Sequence, residues 1–292
     1  MSIVITGATG QLGRMIIADL LDAGVSADGI TAVARSKERA ADLAARGLRL
    51  HIADYDRPEM FEGLLRPEDR VLLISGTDVG SRMPQHRAVI DAARAAGVAQ
   101  LAYTGVFGGP KADFLLAGEH RETEQLILNS GLSYTFLRNN WYSDASMFTG
   151  DLAGILERGA ISNSVVPGAR LATAPRTDYA AAAAVVLNHH GHLNKAYELG
   201  GDAEWTFEEF AEEVSRQSGR KVVHESLSPE AHKALMTSAG VPGALADILV
   251  DVDAAISRGA LAGGPGDLSR LIGRSTTPIA ESIATALAQL NA

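Results

Sequence analysis

The sequence has no cysteine among its 292 residues. This absence excludes disulfide bonds, thiol catalysis and cysteine ligands for a metal, and it is compatible with a reducing compartment. No apolar run approaches the roughly 18 residues of a transmembrane helix. The N-terminus lacks the basic leader and the long apolar core of a signal peptide. We therefore expect a cytoplasmic, soluble enzyme without a membrane partner.

Positive charge is also scarce. Lys and Arg number 26 against 35 Asp and Glu, and the formal net charge is −9. An acidic chain of this kind argues against nucleic acid as a partner. Hydrophobic residues make up 46% and charged residues 21%, which is ordinary for a globular protein and argues against disorder.

What the sequence does contain near its start is a strand pattern that runs directly into three glycines. The apolar run Ile3 to Ile5 precedes Gly7, Gly10 and Gly13, and a helical pattern follows. Backbone N–H groups at a helix N-terminus bind phosphate, and glycines allow the tight turn and close approach that a dinucleotide needs. The spacing therefore predicts a phosphate-binding loop; a strand–helix turn that binds nothing is the alternative.

Apolar strands alternate with helices over the first half of the chain, with predicted helices at 38–46 and 58–65. This alternation predicts an α/β fold, a doubly wound parallel sheet of Rossmann type with its ligand crevice at the carboxyl ends of the strands. Beyond residue 150 the alternation of strands and helices weakens, and amphipathic helices dominate the C-terminal part. Asp178 is expected to cap the helix that follows it. We expect a Rossmann domain at 1–150 with a returning segment near 176–200, and a smaller, mostly helical substrate lobe at 200–292. The predicted strands are 3–5, 30–34, 48–52, 70–74, 101–104, 134–137 and 195–199.

Arg35 stands at the end of the second predicted strand, about 20 residues after the glycines, where NAD-binding proteins place an acidic side chain. Ser36, Lys37 and Arg39 follow it. A guanidinium binds a 2′-phosphate through paired hydrogen bonds, whereas a carboxylate repels it. We interpret this segment as an NADPH site; a solvated cationic patch that opens a helix is the alternative. Asp54, after the third strand, is either an acceptor for the adenine amino group or a helix-capping carboxylate.

The sequence also lacks a catalytic pair. Short-chain dehydrogenases of the usual kind pair a tyrosine with a lysine four residues later, and none of the six tyrosines has a lysine at that distance. Tyr134 has Arg138 there. The proton donor for alcohol–ketone chemistry is therefore missing, which favours a substrate that needs little acid assistance, such as a quinone.

A family resemblance rests on motifs at the predicted strand ends and extends along essentially the full length, through Ala196–Leu199 and Leu271–Arg274. The chain resembles the NmrA-like group of atypical short-chain dehydrogenases. Within that group it is most similar to the NADPH:quinone oxidoreductases of type 2 and the triphenylmethane reductases. The motifs are Thr6 to Gly13, Arg35, Ser75-Gly76-Thr77, Pro84-Gln85-His86-Arg87, Ala102-Tyr103-Thr104, Glu119-His120 and Leu137 to Tyr142.

The resemblance implies NADPH as the cofactor. Relatives that reduce phenolic ethers carry a lysine near the start of the helix after the fifth strand; Glu119-His120-Arg121-Glu122 has none, so the resemblance does not extend to that activity. The residues that it implies for NADPH binding are Gly7, Ala8, Thr9, Gly10, Gln11, Leu12, Arg35, Ser75, Gly76 and Thr77, with Asn139, Asn140, Trp141, Tyr142, Ser143 and Asp144 near the nicotinamide.

Two residues are our catalytic candidates. His120 is the candidate acid, with a pKa that is ordinarily near neutral pH, and Tyr142 is the candidate hydrogen-bond donor to a reduced oxygen. The alternatives are a helix N-terminal histidine bonded to a loop and an aromatic that only packs. His86 either faces the crevice or caps its helix. We expect no metal site, because the run from His189 to His192 lies between a helix and a strand without matching carboxylates.

The expected reaction is hydride transfer from NADPH to a quinone or a similar conjugated acceptor. Two alternatives remain open: a non-catalytic NADP(H)-binding redox sensor of the NmrA type, and a reductase of triphenylmethane dyes. The expected partners are a small quinone-like molecule and, as a homodimer, a second copy of the chain.

Overall fold

The structure, a computed structural model, describes residues 2–77, 80–145 and 148–290. The chain divides into two compact units. The first comprises the described residues of Met1–Gly109, Glu119–Asn139 and Arg176–Glu198. The second comprises those of Pro110–Gly118, Asn140–Pro175 and Leu199–Ala292. The assignment of cofactor binding to 1–150 and substrate binding to 200–292 stays a prediction.

The described residues form strands and helices in alternation through the first unit. The strands are β1 (Ile3–Ile5), β2 (Ile30–Ala34), β3 (Arg49–Ile52), β4 (Arg70–Leu73), β5 (Gln100–Val106), β6 (Tyr134–Asn139), β7 (Ala160–Asn163), β8 (Arg170–Leu171), β9 (Lys195–Leu199), β10 (Trp205–Thr206) and β11 (Val223–Ser226). The helices are α1 (Gln11–Asp22), α2 (Ala41–Ala45), α3 (Arg82–Ala96), α4 (Ala117–Ser130), α5 (Leu152–Arg158), α6 (Arg176–Asn188), α7 (Phe207–Ser218), α8 (Pro229–Ser238), α9 (Gly243–Ser257), α10 (Asp267–Ile272) and α11 (Ile279–Leu290).

Seven strands form one sheet in the order β3-β2-β1-β4-β5-β6-β9. β1 pairs in parallel with β2 and β4, β2 with β3, β4 with β5, and β5 with β6. β9 begins beside the start of β6, since the N–H of Asn194 donates to the carbonyl of Tyr134. Every residue of β1, β2, β4 and β5 is buried, as expected for parallel strands covered on both faces.

Helices cover the two faces of this sheet. Val89 of α3 and Ile127 of α4 pack with Tyr103 of β5 in one buried cluster. Gln100 points to the opposite face of the sheet from Tyr103, because side chains alternate along a strand. On that face, Nε2 of Gln100 donates to the carbonyl of Val186 in α6 at 3.3 Å. α1 packs against α6, so these two helices cover that face. The predicted doubly wound α/β fold is confirmed.

The C-terminal part of the second unit, residues 200–290, is mostly helical, as expected. β7 pairs in parallel with β11, and β8 pairs antiparallel with β10. Phe148, Trp205, Phe207 and Phe210 form an aromatic cluster at the start of α7, with ring centroids of Phe148 and Trp205 5.3 Å apart. None of the described helices is long and apolar enough to span a membrane.

Three local predictions are wrong. The helix expected at 58–65 is a single 3₁₀ turn, Pro58–Phe61, and the one at 38–46 is a 3₁₀ turn followed by the short α2. α6 begins at Arg176, so Asp178 lies inside its first turn instead of capping it. The short strands β7, β8, β10 and β11 and the helix α10 carry too few residues to show a period, so the sequence did not indicate them.

Candidate active site

The glycine loop connects β1 to α1. Gly7 has a φ of +65°, a conformation in which a side chain is strained. A Cβ on Gly13 would lie 2.5 Å from the carbonyl oxygen of Gly7 and 2.9 Å from Cα of Ala8, so loop and helix lie too close for any side chain. Gly10 occupies the N-cap, and no side chain caps the first turn of α1. These unblocked N–H groups and the close backbone approach fit the diphosphate of a dinucleotide.

Arg35 follows β2 directly and is exposed. Residues 35–39 form a turn, called the Arg35 turn below, in which the N–H of Arg39 donates to Oγ of Ser36 at 3.3 Å. The Ser36 hydroxyl in turn donates to the Glu38 carboxylate at 2.6 Å. Asp54 accepts from the N–H of Asp56 at 3.2 Å, which is a local turn bond. The exposed guanidinium therefore stands at the carboxyl end of the sheet, as the sequence predicts.

The Ser75-Gly76-Thr77 segment follows β4 and is held by side chains of α3. The N–H of Gly76 donates to Nε2 of His86 at 3.1 Å, and the carbonyl of Gly76 accepts from Nε of Arg82 at 2.6 Å. The N–H of Ser75 donates to Oγ1 of Thr104 at 2.9 Å. Both backbone groups of Gly76 are therefore fixed in one orientation, and residues 75–77 are called the Gly76 turn below.

His86 has a defined tautomer. Because its Nε2 accepts from a backbone N–H, its hydrogen lies on Nδ1, which donates to Oγ1 of Thr123 at 2.9 Å. The Thr123 hydroxyl in turn donates a hydrogen bond to the carbonyl of Glu119 at 2.8 Å. Burial, and then the charge of Arg82, lower the pKa of His86 to about 4. His86 therefore holds the Gly76 turn as a neutral ring, beyond the helix-capping role considered from the sequence.

His120 lies in α4 and is buried. Its Nδ1 lies 2.7 Å from the hydroxyl oxygen of Tyr103, a residue of β5. Burial is the main cause that lowers the pKa of His120 to about 3, with smaller contributions from Arg82 and His86. Burial also raises the pKa of Tyr103. The expectation of a near-neutral pKa for His120 is wrong, because the sequence does not show how deeply the ring is buried.

The residues implied for the nicotinamide end lie on both sides of the division between the units. Asn139 ends β6 in the first unit, and 140–144 belong to the second. Nδ2 of Asn140 donates to the carbonyl of Leu261 at 3.0 Å, and Oγ of Ser143 lies 2.9 Å from that of Ser282. Tyr142 forms an isolated β-bridge with Ala174. The Asn140 and Ser143 side chains therefore have structural partners, and the catalytic role of Tyr142 stays a prediction.

The histidines near the end of α6 make structural contacts. Nδ1 of His190 accepts from Arg70 at 3.2 Å, and the same guanidinium donates to the carbonyls of Leu187 and His189. Nδ1 of His192 lies 2.8 Å from the Tyr197 hydroxyl. Within the described residues there is no group of three or more His, Asp or Glu side chains placed to hold a metal ion.

A family model described as NAD(P)H-binding matches residues 7–190, which covers more than half of the chain. The chain belongs to the NAD(P)H-binding family. The glycine loop, the Arg35 turn, the Gly76 turn and His120 of this NAD(P)H-binding protein all lie within the matched residues.

Relatives with known activities match this chain over nearly its whole length. Quinone oxidoreductase 2 of Escherichia coli K12 is 43% identical over 281 residues, which are 96% of this chain and 97% of that protein. A crystal structure of the E. coli NADPH-dependent quinone oxidoreductase complexed with NADPH superposes with a TM-score of 0.93 at 42% identity, covering 98% and 99% of the two chains. The triphenylmethane reductase of Citrobacter sp. complexed with NADP(H) gives 0.92 at 39%, covering 98% and 100%. The family resemblance stated from the sequence is confirmed.

Sequence reasoning missed several residues that organise the site of this NAD(P)H-binding protein. Tyr103 was identified only as part of a predicted strand and of a family motif, without a role at the site, and Arg82 was not considered. Their partners are Nδ1 of His120 and the carbonyl of Gly76, which are distant in sequence or belong to the backbone. Neither contact has a sequence signal.

Proposed function

We propose that the protein catalyses hydride transfer from NADPH to a quinone. The observation that carries this proposal is the likeness to the NADPH-bound quinone oxidoreductase, which covers 98% of the chain and therefore both compact units. The missing tyrosine–lysine pair supports it, because a quinone oxygen, once reduced, is far less basic than an alkoxide and needs little acid assistance.

The residues of the first unit fit the phosphates of the cofactor. The helix N-terminus at Gly10 and the loop from Gly7 to Leu12 receive the diphosphate, and Arg35 receives the 2′-phosphate. The Gly76 turn, fixed by His86 and Arg82, supports the cofactor further along the sheet edge. As the family resemblance implies, 139–144 lie near the nicotinamide. Bound NADPH supplies a hydride, and the acceptor takes one proton to complete its two-electron reduction.

His120 acts in this proposal as a neutral hydrogen-bond donor. The Tyr103 phenol keeps its proton because burial raises its pKa. When that O–H donates to Nδ1 of His120, the imidazole hydrogen lies on Nε2. An uncharged N–H in a buried setting stabilises a developing oxyanion without a proton being lost from the protein, and the proton comes from solvent. Tyr142 is the second proposed donor.

The test is an assay of the purified protein with NADPH and a panel of benzoquinones and naphthoquinones. Quinone-dependent loss of NADPH absorbance is expected, with NADH a poorer reductant, and Arg35→Asp should abolish the preference for NADPH. Tight NADPH binding without any turnover would instead favour a redox-sensing role.

A second candidate acceptor is a triphenylmethane dye. The likeness to the Citrobacter reductase, at a TM-score of 0.92, supports it. Decolorisation of a cationic dye by NADPH, measured beside the quinone assay, gives the ratio of the two kcat/KM values. We expect the quinone to be preferred. A homodimer and a cytoplasmic location are further proposals, checked by light scattering and by cell fractionation.

A further inference from the structure

One guanidinium bridges two segments that are proposed to bind phosphate groups. Arg14 lies near the start of α1, and its Nε donates to the carbonyl of Thr9 in the glycine loop at 3.2 Å. Its Nη2 donates to the carbonyl of Arg39 at 2.6 Å, and its Nη1 binds the Asp42 carboxylate. The donors of one rigid, planar group are therefore used on three acceptors, one in the glycine loop and two in the segment 39–42.

The turn that Arg14 anchors is the one that carries Arg35. This turn begins where β2 ends and is closed by the bond from the N–H of Arg39 to Oγ of Ser36. Arg14 holds the carbonyl of Arg39, at the far end of the turn. Because the backbone between Arg35 and Arg39 is short, a displacement of Arg39 also displaces Arg35.

Arg14 also controls the charge beside the turn. Its hydrogen bond and its charge lower the pKa of Asp42, so that carboxylate stays ionised and is neutralised by the guanidinium. Glu38 is the other acidic side chain of the segment, and it accepts from the Ser36 hydroxyl. Loss of Arg14 would leave Asp42 as an unpaired negative charge beside a site for a phosphate dianion.

We propose that Arg14 is a positioning residue that fixes the spacing between the glycine loop and the Arg35 turn, and thereby determines selectivity for NADPH over NADH. This inference rests on the proposed use of NADPH. Arg14 acts through the carbonyls of Thr9 and Arg39, to which its Nε and Nη2 donate. Lysine, with a point charge and no planar fork, does not reproduce the bridge.

Binding, measured without turnover, tests the proposal. Isothermal titration gives Kd for NADPH, NADH and adenosine 2′-monophosphate with the wild type, Arg14→Met and Arg14→Lys. In both variants we expect Kd for NADPH and for adenosine 2′-monophosphate to rise about tenfold, and Kd for NADH to change less than about twofold.

Arg216→Met is the matched control. Arg216 is exposed and paired with Glu213 in α7, so its loss removes the same charge and a similar ion pair, and Kd should not change. An equal loss of NADPH and NADH affinity in Arg14→Met would mean that Arg14 only shapes the loop. Wild-type affinity in Arg14→Lys would mean direct charge attraction. Each of these two results overturns the proposal, and so does an unchanged Kd for NADPH in Arg14→Met. If the wild type itself binds no NADPH, the proposed function is refuted instead.

Discussion

The hydroxyl oxygen of Tyr103 lies 2.7 Å from Nδ1 of His120, and both residues are buried. The phenol and the imidazole are both neutral, because burial raises the pKa of the first and lowers that of the second. In the proposed reaction this pair stands in for the tyrosine and lysine that the sequence lacks. It supplies a neutral N–H of His120, oriented by the Tyr103 hydroxyl, in place of a charged acid.

Tyr103→Phe removes the hydroxyl that orients His120. We expect kcat for quinone reduction to fall about tenfold and Kd for NADPH to stay within about twofold, because the imidazole hydrogen is no longer directed to Nε2. Steady-state kinetics and titration measure these effects. Tyr134→Phe is the control, since the Tyr134 ring stacks on Phe136 with centroids 4.5 Å apart. An unchanged kcat in Tyr103→Phe would refute the role of the pair.

His86→Leu leaves the N–H of Gly76 without its acceptor. We expect the free energy of unfolding to fall by about 1–3 kcal/mol, and NADPH to bind more weakly, because the Gly76 turn loses its support. Urea denaturation and titration are the measurements. His86→Gln, whose side-chain oxygen can accept the same bond, should retain most of both properties. Equal losses in the two variants would show that ring packing, not the hydrogen bond, is what matters.

Gly13→Ala tests the close packing of loop and helix. The new methyl would lie 2.5 Å from the Gly7 carbonyl oxygen, which belongs to the backbone and cannot rotate away. We expect a loss of about 1–3 kcal/mol in stability, and weaker binding of NADPH and NADH alike. Gly118→Ala in α4 is the control, because no atom lies within 4 Å of its Cβ position. That change should stabilise the protein by about 0.5–1 kcal/mol.

The two buried histidines predict how stability depends on pH. In the folded protein the pKa is about 4 for His86 and about 3 for His120, against 6.5 for an exposed ring. As the pH falls below 6.5, the unfolded chain therefore binds protons that the folded chain does not. Stability decreases through both rings down to about pH 4, and through His120 alone down to about pH 3. Each ring contributes up to about 1.4 kcal/mol per pH unit. Urea denaturation across this window measures the slope, which should be shallower in His86→Gln; an identical slope would contradict the assignment.

Local sequence signals were sufficient for part of the site. The glycine loop and Arg35 stand within a few residues of a strand end, and the sheet topology follows from the regular alternation of apolar strands with helices. The amphipathic helices of the C-terminal part were also predicted, and two of them, α7 and α8, begin at side-chain caps, Thr206 and Ser228, that a sequence displays. Family membership was likewise readable from residues at the strand ends.

Contacts between distant segments were decided only by the tertiary structure. His120 was identified as a candidate, but its neutrality depends on burial and on Tyr103, which packing brings to it. Likewise the sequence predicted phosphate sites at the glycine loop and at Arg35, but only the folded chain joins these two segments through Arg14. The physical reason is that composition and periodicity record local backbone preferences, whereas proton positions and the spacing between subsites depend on which buried groups meet in space.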